Sequence, residues 1–364
     1  MAELFVGVRK LVNVRKHPDA DLLDLANIDH PEGFQVVIPR DYYRSGDLVV
    51  YIPEGCIVPE WITDEIGVTG KLAGPDKNRV KIVRLRGVTS QGLVWFPADN
   101  SYQGAWYHRN HKNKTNLAEQ LGITKWVPEV PVHMAGDVEP APKLLKWVEV
   151  ENLKIHNEVF QPGEEVVVQE KIHGTCCLIT YDVNNDRLLV SSKGMGSMHL
   201  ALKESDTNLY WQAVKYHNVH EKLRDLAEGY SDVSYIALFA EVYGVGVQDL
   251  HYGANARKGE PGLAVFDLVL VNPATSIWYS HPWFDLRDAD LPYVPVLYEG
   301  PYDREIINGL VDGPEQVSGR ELHIREGVVV KPVRQRYVPE LGGPAILKLV
   351  SEAYLTRKGG TEYQ

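Results

Sequence analysis

Cysteine is scarce in this sequence: Cys56 and the adjacent Cys176 and Cys177 are all that 364 residues contain. Three cannot make a disulfide framework, and no Cys-x-x-Cys or Cys/His spacing offers a zinc site. They are expected to be small buried packing groups. Long apolar runs are missing as well. None approaches the roughly 18 residues that cross a bilayer, and no signal-peptide apolar core stands near the N-terminus, so the expectation is a cytoplasmic chain with no membrane partner. Positive charge is not in excess either. The net charge of −11 argues against indiscriminate binding to nucleic acid while leaving room for a local basic face. There is also no Gly-x-x-x-x-Gly-Lys-Ser/Thr, which disfavours P-loop nucleotide chemistry.

What remains is an ordinary globular composition, 44% hydrophobic and 24% charged, in a chain long enough for two or three domains. It has no internal repeats. Short β-rich runs at 5–14, 22–28, 34–38, 48–52, 80–85 and 93–96 are separated by turn signals such as His17-Pro18-Asp19-Ala20 and Ser45-Gly46-Asp47, and together suit a small barrel. Basic residues gather there, at Arg9, Lys10, Arg15, Lys16, Lys77, Arg79, Lys81, Arg84 and Arg86. Tyr42, Tyr43 and Trp95 are interleaved, as a groove that tracks a nucleic-acid backbone and stacks its bases requires. Any one of these side chains could equally belong to a solvated barrel face.

Residues 101–142 read as a connector. It carries Trp106 to Lys112, a short helical stretch at 116–121 and the prolines Pro128, Pro131, Pro140 and Pro142, whose density favours an extended linker. Its two histidines three apart, His108 and His111, lack the partners of a metal site. From Lys143 the pattern mixes α and β, with a hairpin turn at Asn184-Asn185-Asp186, strands at 235–243, 263–270 and 327–330, and one helix over 207–228, N-capped by Thr207 and C-capped by Gly229.

The stretch Glu170-Lys171-Ile172-His173-Gly174-Thr175 lies between two apolar segments, Val166-Val167-Val168 and Leu178-Ile179-Thr180-Tyr181. Lys171 therefore falls where one strand ends and the next begins, with Gly174 allowing the turn. Taken alone, this is a surface lysine beside a turn. Its other reading is a nucleophile, provided burial or neighbouring cations lower the amine's pKa from about 10.4.

The segment resembles the Lys-x-His/Asp-Gly motif of the covalent nucleotidyltransferases, the superfamily of ATP-dependent DNA ligases, RNA ligases and mRNA capping enzymes. Further resemblances follow in the family's order. Ser192-Lys193-Gly194 is similar to a motif whose basic residue approaches phosphate. Phe239 to Gly244 resembles one whose glutamate, here Glu241, serves ribose or metal. Ala264-Val265-Phe266-Asp267-Leu268 resembles one whose phenylalanine stacks on the purine. Arg325 to Lys331 resembles one in which Glu326 helps bind metal and Lys331 lies near the phosphates, and 346–351 resembles one whose lysine, Lys348, contacts the α-phosphate. Individually each has a plainer role: Phe266 in a core, Glu241 and Glu326 as strand-end charges, Lys348 as a helix cap.

His173 and the Phe266-Asp267 pair resemble RNA ligases most. His17 to Leu23 and Arg86 to Gly92 resemble OB-folds of the tRNA-binding type. Only 16 residues follow Lys348, fewer than a further OB domain needs, so the likeness is to RNA ligases that carry their OB domain in front. This resemblance implies an α+β chain: an N-terminal OB-fold β-barrel with its connector over 1–125, then an adenylyltransferase domain of ligase type, ATP-grasp-like, over 126–364, with antiparallel sheets and flanking helices. It implies Lys171 as nucleophile and Glu170, His173, Gly174, Lys193, Glu241, Phe266, Asp267, Glu326, Lys331 and Lys348 around ATP, with Glu241 and Glu326 holding Mg²⁺ or Mn²⁺. Ligation would pass through lysyl-AMP and an adenylylated 5′ end to seal 3′-hydroxyl/5′-phosphate breaks, in nicked duplex RNA or an RNA/DNA hybrid, by a monomer. There are departures: Cys176 stands where phage-type relatives often have asparagine, Lys193 where some have arginine, and Lys348 lacks a second lysine two residues away. Two rival readings stand beside it, a capping-type guanylyltransferase and an RNA-binding protein whose ligase-like domain is inactive.

Overall fold

The computed structural model describes residues 4–96, 109–126, 134–272, 278–280 and 290–361. The chain divides into two compact units, residues 2–127 and 128–364.

The first unit is built on a five-stranded antiparallel sheet in the order Gln35–Pro39, Leu23–Ile28, Gly7–Lys16, Leu48–Ile52, Leu93–Trp95. Gly7–Lys16 serves two neighbours. Its first half pairs with Leu48–Ile52 and its second with Leu23–Ile28, the register shifting between Val12 and Arg15, where Asn13 takes a positive φ of 52°. Bulges of this kind sharpen the local twist and bend a strand, which curls the sheet on itself. The outer strand nearly meets the far edge, for Gln91 N–H donates to the Gln35 carbonyl at 2.8 Å and Val37 N–H to Ser90 Oγ at 3.0 Å. The result is a nearly closed barrel, with Val8, Val50 and Ile52 in one core cluster and Leu11, Val36 and Ile38 in another.

The run anticipated at 80–85 is instead a separate hairpin, Val83–Leu85 with Val88–Ser90. Arg86 and Gly87, both at positive φ (48° and 83°), form its two-residue turn. Part of the expected connector belongs to the barrel: Leu117, Ala118, Leu121 and Ile123 pack in its core, and Thr124–Lys125 pairs with Cys56–Ile57. Trp106, Tyr107, His108, Pro128 and Pro131 lie outside the described residues. Pro140 sits in an edge strand, Val138–Pro140, paired with Leu200–Leu202, where a missing N–H is tolerated.

The second unit has two principal sheets. One has seven strands, in the order Val138–Pro140, Leu200–Leu202, Arg187–Ser192, Thr175–Asp182, Tyr235–Tyr243, Gly262–Val271, Trp278–Ser280. The other has five: Glu151–Asn152, Leu347–Val350, Gly327–Pro332, Glu165–Lys171, Val296–Pro301. All neighbours are antiparallel except Glu151–Asn152 beside Leu347–Val350. Lys171 ends a strand of the five-stranded sheet and Thr175 begins one of the seven-stranded sheet, so Ile172-His173-Gly174 is the crossing between them. The anticipated helix over 207–228 is two, Leu209–Tyr216 and Val219–Glu228, broken where Asn218 adopts a left-handed φ of 52°. Its N-cap is Asn208 rather than Thr207: the Asn208 side chain accepts the N–H groups of Tyr210 and Trp211, satisfying donors that the first turn leaves open.

Candidate active site

Strand alternation decides which side chains reach the crossing. In Glu165–Lys171, Val166 and Val168 point into an apolar core shared with Val328, Val330, Leu347 and Leu349. Val167, Gln169 and Lys171 must then face the other way. The same rule turns Val329, Lys331 and Lys348 outward from that core, onto the face where Lys171 stands, and the register places Gln169 opposite Val329 and Val329 opposite Lys348. A single pocket is lined by Trp147, Glu149, Gln169, Lys171, Cys176, Lys193, Glu241, Phe266, Lys331 and Lys348, among others.

Phe266 reaches it through a bulge. Phe239 pairs with Asp267 but Ala240 with Val265, leaving Phe266 as the extra residue. Upstream of it Leu263 and Val265 face the helix-side core; downstream Leu268 and Leu270 do. The shift in phase puts two consecutive residues, Phe266 and Asp267, on the pocket face. Phe266 lies edge-on to Trp147, centroids 5.1 Å apart, and Asp267 pairs with Lys331 Nζ at 3.1 Å behind it.

Lys171 Nζ is 2.8 Å from Glu326 Oε1. Burial alone would lower the amine's pKa, but Glu326 and Glu241 more than offset it, and the net shift is upward. The expected lowering is therefore reversed at Lys171. It occurs at Lys348, where burial and then the like charges of Lys171 and Lys193 act together. Glu241 is pushed up to about 8, by burial first and by Glu326. One oxygen of Glu326, Oε2, is buried with no hydrogen-bond partner. Lys193 contacts Glu149 Oε2 at 3.1 Å and the Val148 carbonyl at 3.2 Å.

Three anticipated residues stand differently. Glu170 shares the core face with Val168. It lines the pocket, but its carboxylate is committed on the other side, accepting the Gln316 N–H at 2.8 Å with Arg325 Nε 4.0 Å away. His173 is 5% exposed and outside the pocket lining, its ring between Asp249 and Tyr354. Gly174 serves a close approach of protein rather than ligand, since a Cβ there would lie 2.2 Å from the Val242 carbonyl oxygen. Trp147, Glu149 and Gln169 were not singled out in the sequence, although Trp147 and Glu149 belong to the segment leading into the lysine strand. Lys348 lies in a strand, not at a helix end. Cys56 and Cys177 are buried as expected, whereas Cys176 is half-buried on the pocket wall, its thiol pKa raised by burial.

In the barrel unit, two of the three anticipated stacking aromatics belong to the core: Trp95 is 5% and Tyr43 9% exposed, against 64% for Tyr42. Trp95 Nε1 donates to Glu65 at 2.8 Å. Arg79 lies over the Trp126 ring, and Arg9 pairs with Asp29 at 3.2 Å. Lys81, Arg84 and Arg86 are exposed. Among the described residues no helix is long and apolar enough to cross a membrane.

Comparison with known proteins agrees with this architecture. Residues 164–350 match the RNA ligase family model and residues 5–98 an OB-fold domain model. Solved structures of the Naegleria gruberi RNA ligase, among them variants with AMP and Mn and with ATP and Mn, and the protein with PPi, are 21% identical to this chain. They cover 97% of it and 98% of their own length, at TM-scores of 0.74, 0.74 and 0.73. No curated protein matches in sequence. An OB-fold barrel followed by a two-sheet domain with a lysine-lined pocket defines an enzyme of the ligase class. The chain belongs to the RNA ligase family.

Proposed function

We propose that this protein is an ATP-dependent RNA ligase that seals 3′-hydroxyl/5′-phosphate breaks through a lysyl-AMP formed on Lys171. The observation that carries the reading is the single pocket holding Lys171, Lys193, Lys331 and Lys348 with Glu241 and Phe266, Glu326 standing against Lys171 Nζ at 2.8 Å, in a chain of the RNA ligase family. The ATP and AMP complexes of the Naegleria gruberi enzyme support the choice of nucleotide.

Lys171 Nζ, once it has lost its proton, attacks the α-phosphorus. A P–N bond forms, the bond to the bridging oxygen breaks, and pyrophosphate leaves with the electron pair. The AMP then passes to a 5′-phosphate, and a 3′-hydroxyl displaces it to close the phosphodiester. Lys348, Lys193 and Lys331 present positive charge to the phosphates, where it offsets the charge that develops in transfer. Phe266 and Trp147 offer aromatic surface to the base. Glu326, 2.8 Å from Nζ, is placed to receive the departing proton.

Glu241 and Glu326 fit a divalent cation. Glu326 Oε2 is a buried acceptor without a partner, Glu241 is a neighbouring half-buried carboxyl, and Mg²⁺ characteristically takes one or two carboxylates with phosphate oxygens. When bound there, Mg²⁺ or Mn²⁺ would neutralise the two carboxylates that hold the proton on Lys171 and add positive charge against the phosphates.

The barrel over residues 1–125 would engage the nucleic acid and residues 126–364 would carry the chemistry. We take the substrate to be a nick in duplex RNA or an RNA/DNA hybrid, recognised by backbone and shape, and the enzyme to be a cytoplasmic monomer. The test is incubation with α-labelled ATP and Mg²⁺, wild type beside Lys171→Ala, on a denaturing gel, followed by sealing assays on nicked RNA, DNA and hybrid duplexes. Label that survives denaturation in the wild type and is lost in the variant is expected. An unlabelled wild type, with GTP as well as ATP, would overturn the proposal, and label from GTP alone would point to a capping-type guanylyltransferase.

A further inference from the structure

Residues 351–361 follow the stretch matched by the RNA ligase family model, which ends at 350. They return to the back of the crossing between Lys171 and Thr175. Ser351 Oγ caps the short helix Glu352–Leu355, which buries Tyr354. Beyond it, Arg357 grips Asp249 with two hydrogen bonds, Nε to Oδ2 at 2.7 Å and Nη2 to Oδ1 at 2.9 Å, and lies 3.7 Å from the centre of the Tyr354 ring. Thr361 closes the segment. Its N–H donates to Asp249 Oδ1 at 2.8 Å, and its hydroxyl lies 2.8 Å from Gln248 Oε1 and accepts the Asp249 N–H at 2.9 Å.

Each of the three residues after Lys171 is held by this assembly. Ile172 is 3% exposed and packs in a cluster with Leu250, Tyr252, Ala264, Val294 and Tyr354. The His173 N–H donates to Tyr252 Oη at 2.8 Å, its Nδ1 is 2.8 Å from Tyr354 Oη, and its Nε2 is 2.8 Å from Asp249 Oδ1. The Gly174 carbonyl accepts Gln248 Nε2 at 3.2 Å.

The imidazole is engaged at both nitrogens: Nε2 lies between Asp249 Oδ1 at 2.8 Å and Arg357 Nη2 at 3.2 Å, and Nδ1 meets the Tyr354 hydroxyl. Both ring nitrogens are engaged away from Lys171, and neither is left for a phosphate or for the lysine's proton.

We infer that residues 351–361 form a strap that positions the nucleophile: through Tyr354, Arg357 and Thr361, by way of Asp249 and Gln248, they hold the turn Ile172-His173-Gly174 and so set where Lys171 Nζ meets the α-phosphate. Tyr354, Arg357, Asp249 and His173 are positioning residues that act through Lys171 without touching the nucleotide. The inference rests on the lysyl-AMP reading. Its signature is kinetic, because a nucleophile held slightly out of line slows attack and leaves nucleotide affinity unchanged.

The experiment uses the full chain and follows covalent labelling from α-labelled ATP with Mg²⁺ in a single turnover over a range of ATP concentrations. Wild type is compared with Tyr354→Phe, Arg357→Met, Arg357→Lys and Thr361→Val, each checked by thermal unfolding. Tyr354→Phe keeps the packing and removes only the hydroxyl. The expected result is a maximal labelling rate about tenfold or more lower in Tyr354→Phe and Arg357→Met, since misplacement by about 1 Å costs on the order of 10²-fold. The ATP concentration for half-maximal rate should stay unchanged, and Arg357→Lys should recover part of the rate. If Arg357→Met fails to fold, Tyr354→Phe and Thr361→Val decide, both slowing the maximal rate at an unchanged ATP requirement. A wild-type maximal rate in the folded variants would overturn the strap, as would a higher ATP requirement at an unchanged maximal rate. A wild type that takes no label would instead overturn the lysyl-AMP reading itself.

Discussion

Replacing Gly174 by alanine adds one methyl group at the most crowded point behind the lysine. The backbone there is not left-handed, so the cost does not come from the conformational preference of alanine. It comes from contact: the new Cβ would lie 2.2 Å from the Val242 carbonyl oxygen, 2.9 Å from Glu241 Cγ and 3.0 Å from the Val242 carbonyl carbon. None of these can swing aside cheaply, because Glu241 and Val242 lie in Tyr235–Tyr243, paired on both sides, with Thr175–Asp182 and with Gly262–Val271. The turn must therefore retreat by about 1 Å to reach ordinary contact, a displacement that costs on the order of 10²-fold in rate where reacting atoms must be aligned. Overpacking of this kind also destabilises by roughly 1–3 kcal/mol. Single-turnover labelling of Lys171 at saturating ATP, with urea unfolding in parallel, measures both. If Gly174→Ala is labelled within about twofold of the wild-type rate, well short of the loss that such misplacement causes, the turn does not set the lysine's position and the steric reasoning fails.

Glu170 should give the fold a pH dependence of its own. Burial pushes its carboxyl up to about 7, against the opposing pull of the Gln316 N–H and Arg325. An acid with a raised folded pKa contributes stability that is present at low pH and is lost as pH rises towards 7. Glu170→Gln keeps an acceptor for Gln316 and should be more stable than wild type at pH 8 by on the order of 2 kcal/mol, with no advantage at pH 4.5; an equal difference at both pH values in thermal melts would exclude the carboxyl as the source. Lys331→Met should destabilise by about 3 kcal/mol, because it leaves the buried Asp267 carboxylate without its ion pair. Adding Asp267→Asn should recover at least about 1 kcal/mol of that loss, and strict additivity in a urea double-mutant cycle would contradict the pairing. Gly309 lies inside the helix Arg304–Val311 with open space at its Cβ position. Gly309→Ala should raise stability by about 0.5–1 kcal/mol, and a lower melting temperature would refute that account.

The strands of the second unit were largely legible because their apolar runs have clear ends: the runs at 235–243 and 263–270 stand within a residue of where the sequence put them, and the apolar segments flanking Lys171 lie inside the strands Glu165–Lys171 and Thr175–Asp182. The alternation that separates Lys171, Lys331 and Lys348 from Val328, Val330 and Leu349 is also written in the residue types. What could not be read was which face of each strand the partner sheet covers. Glu170 adjoins the nucleophile in sequence and faces the opposite side for that reason. His173 looked like a ligand because the residues that engage both its nitrogens, Asp249 and Tyr354, are distant in the chain. Trp95 and Tyr43 look like stacking platforms because an aromatic in a short strand or in the loop between two strands gives no sign of whether the barrel closes over it. The break at Asn218 escaped notice because the apolar periodicity on either side is helical, and only the residue's left-handed backbone interrupts it.

The extra residue in the strand Gly262–Val271 has a consequence for how the chain could change by insertion and deletion. On either side of Phe266 the strand is in phase with Tyr235–Tyr243, but the two halves differ by one residue. Removing that single residue would return the strand to plain alternation and leave both flanks buried on their present sides. The sheet would keep its core, and Asp267 would occupy the place that Phe266 now shares with it. A one-codon deletion can therefore take Phe266 out of the base platform, leaving Trp147 alone, and spare the scaffold, so loss of ligation need not be accompanied by loss of the fold.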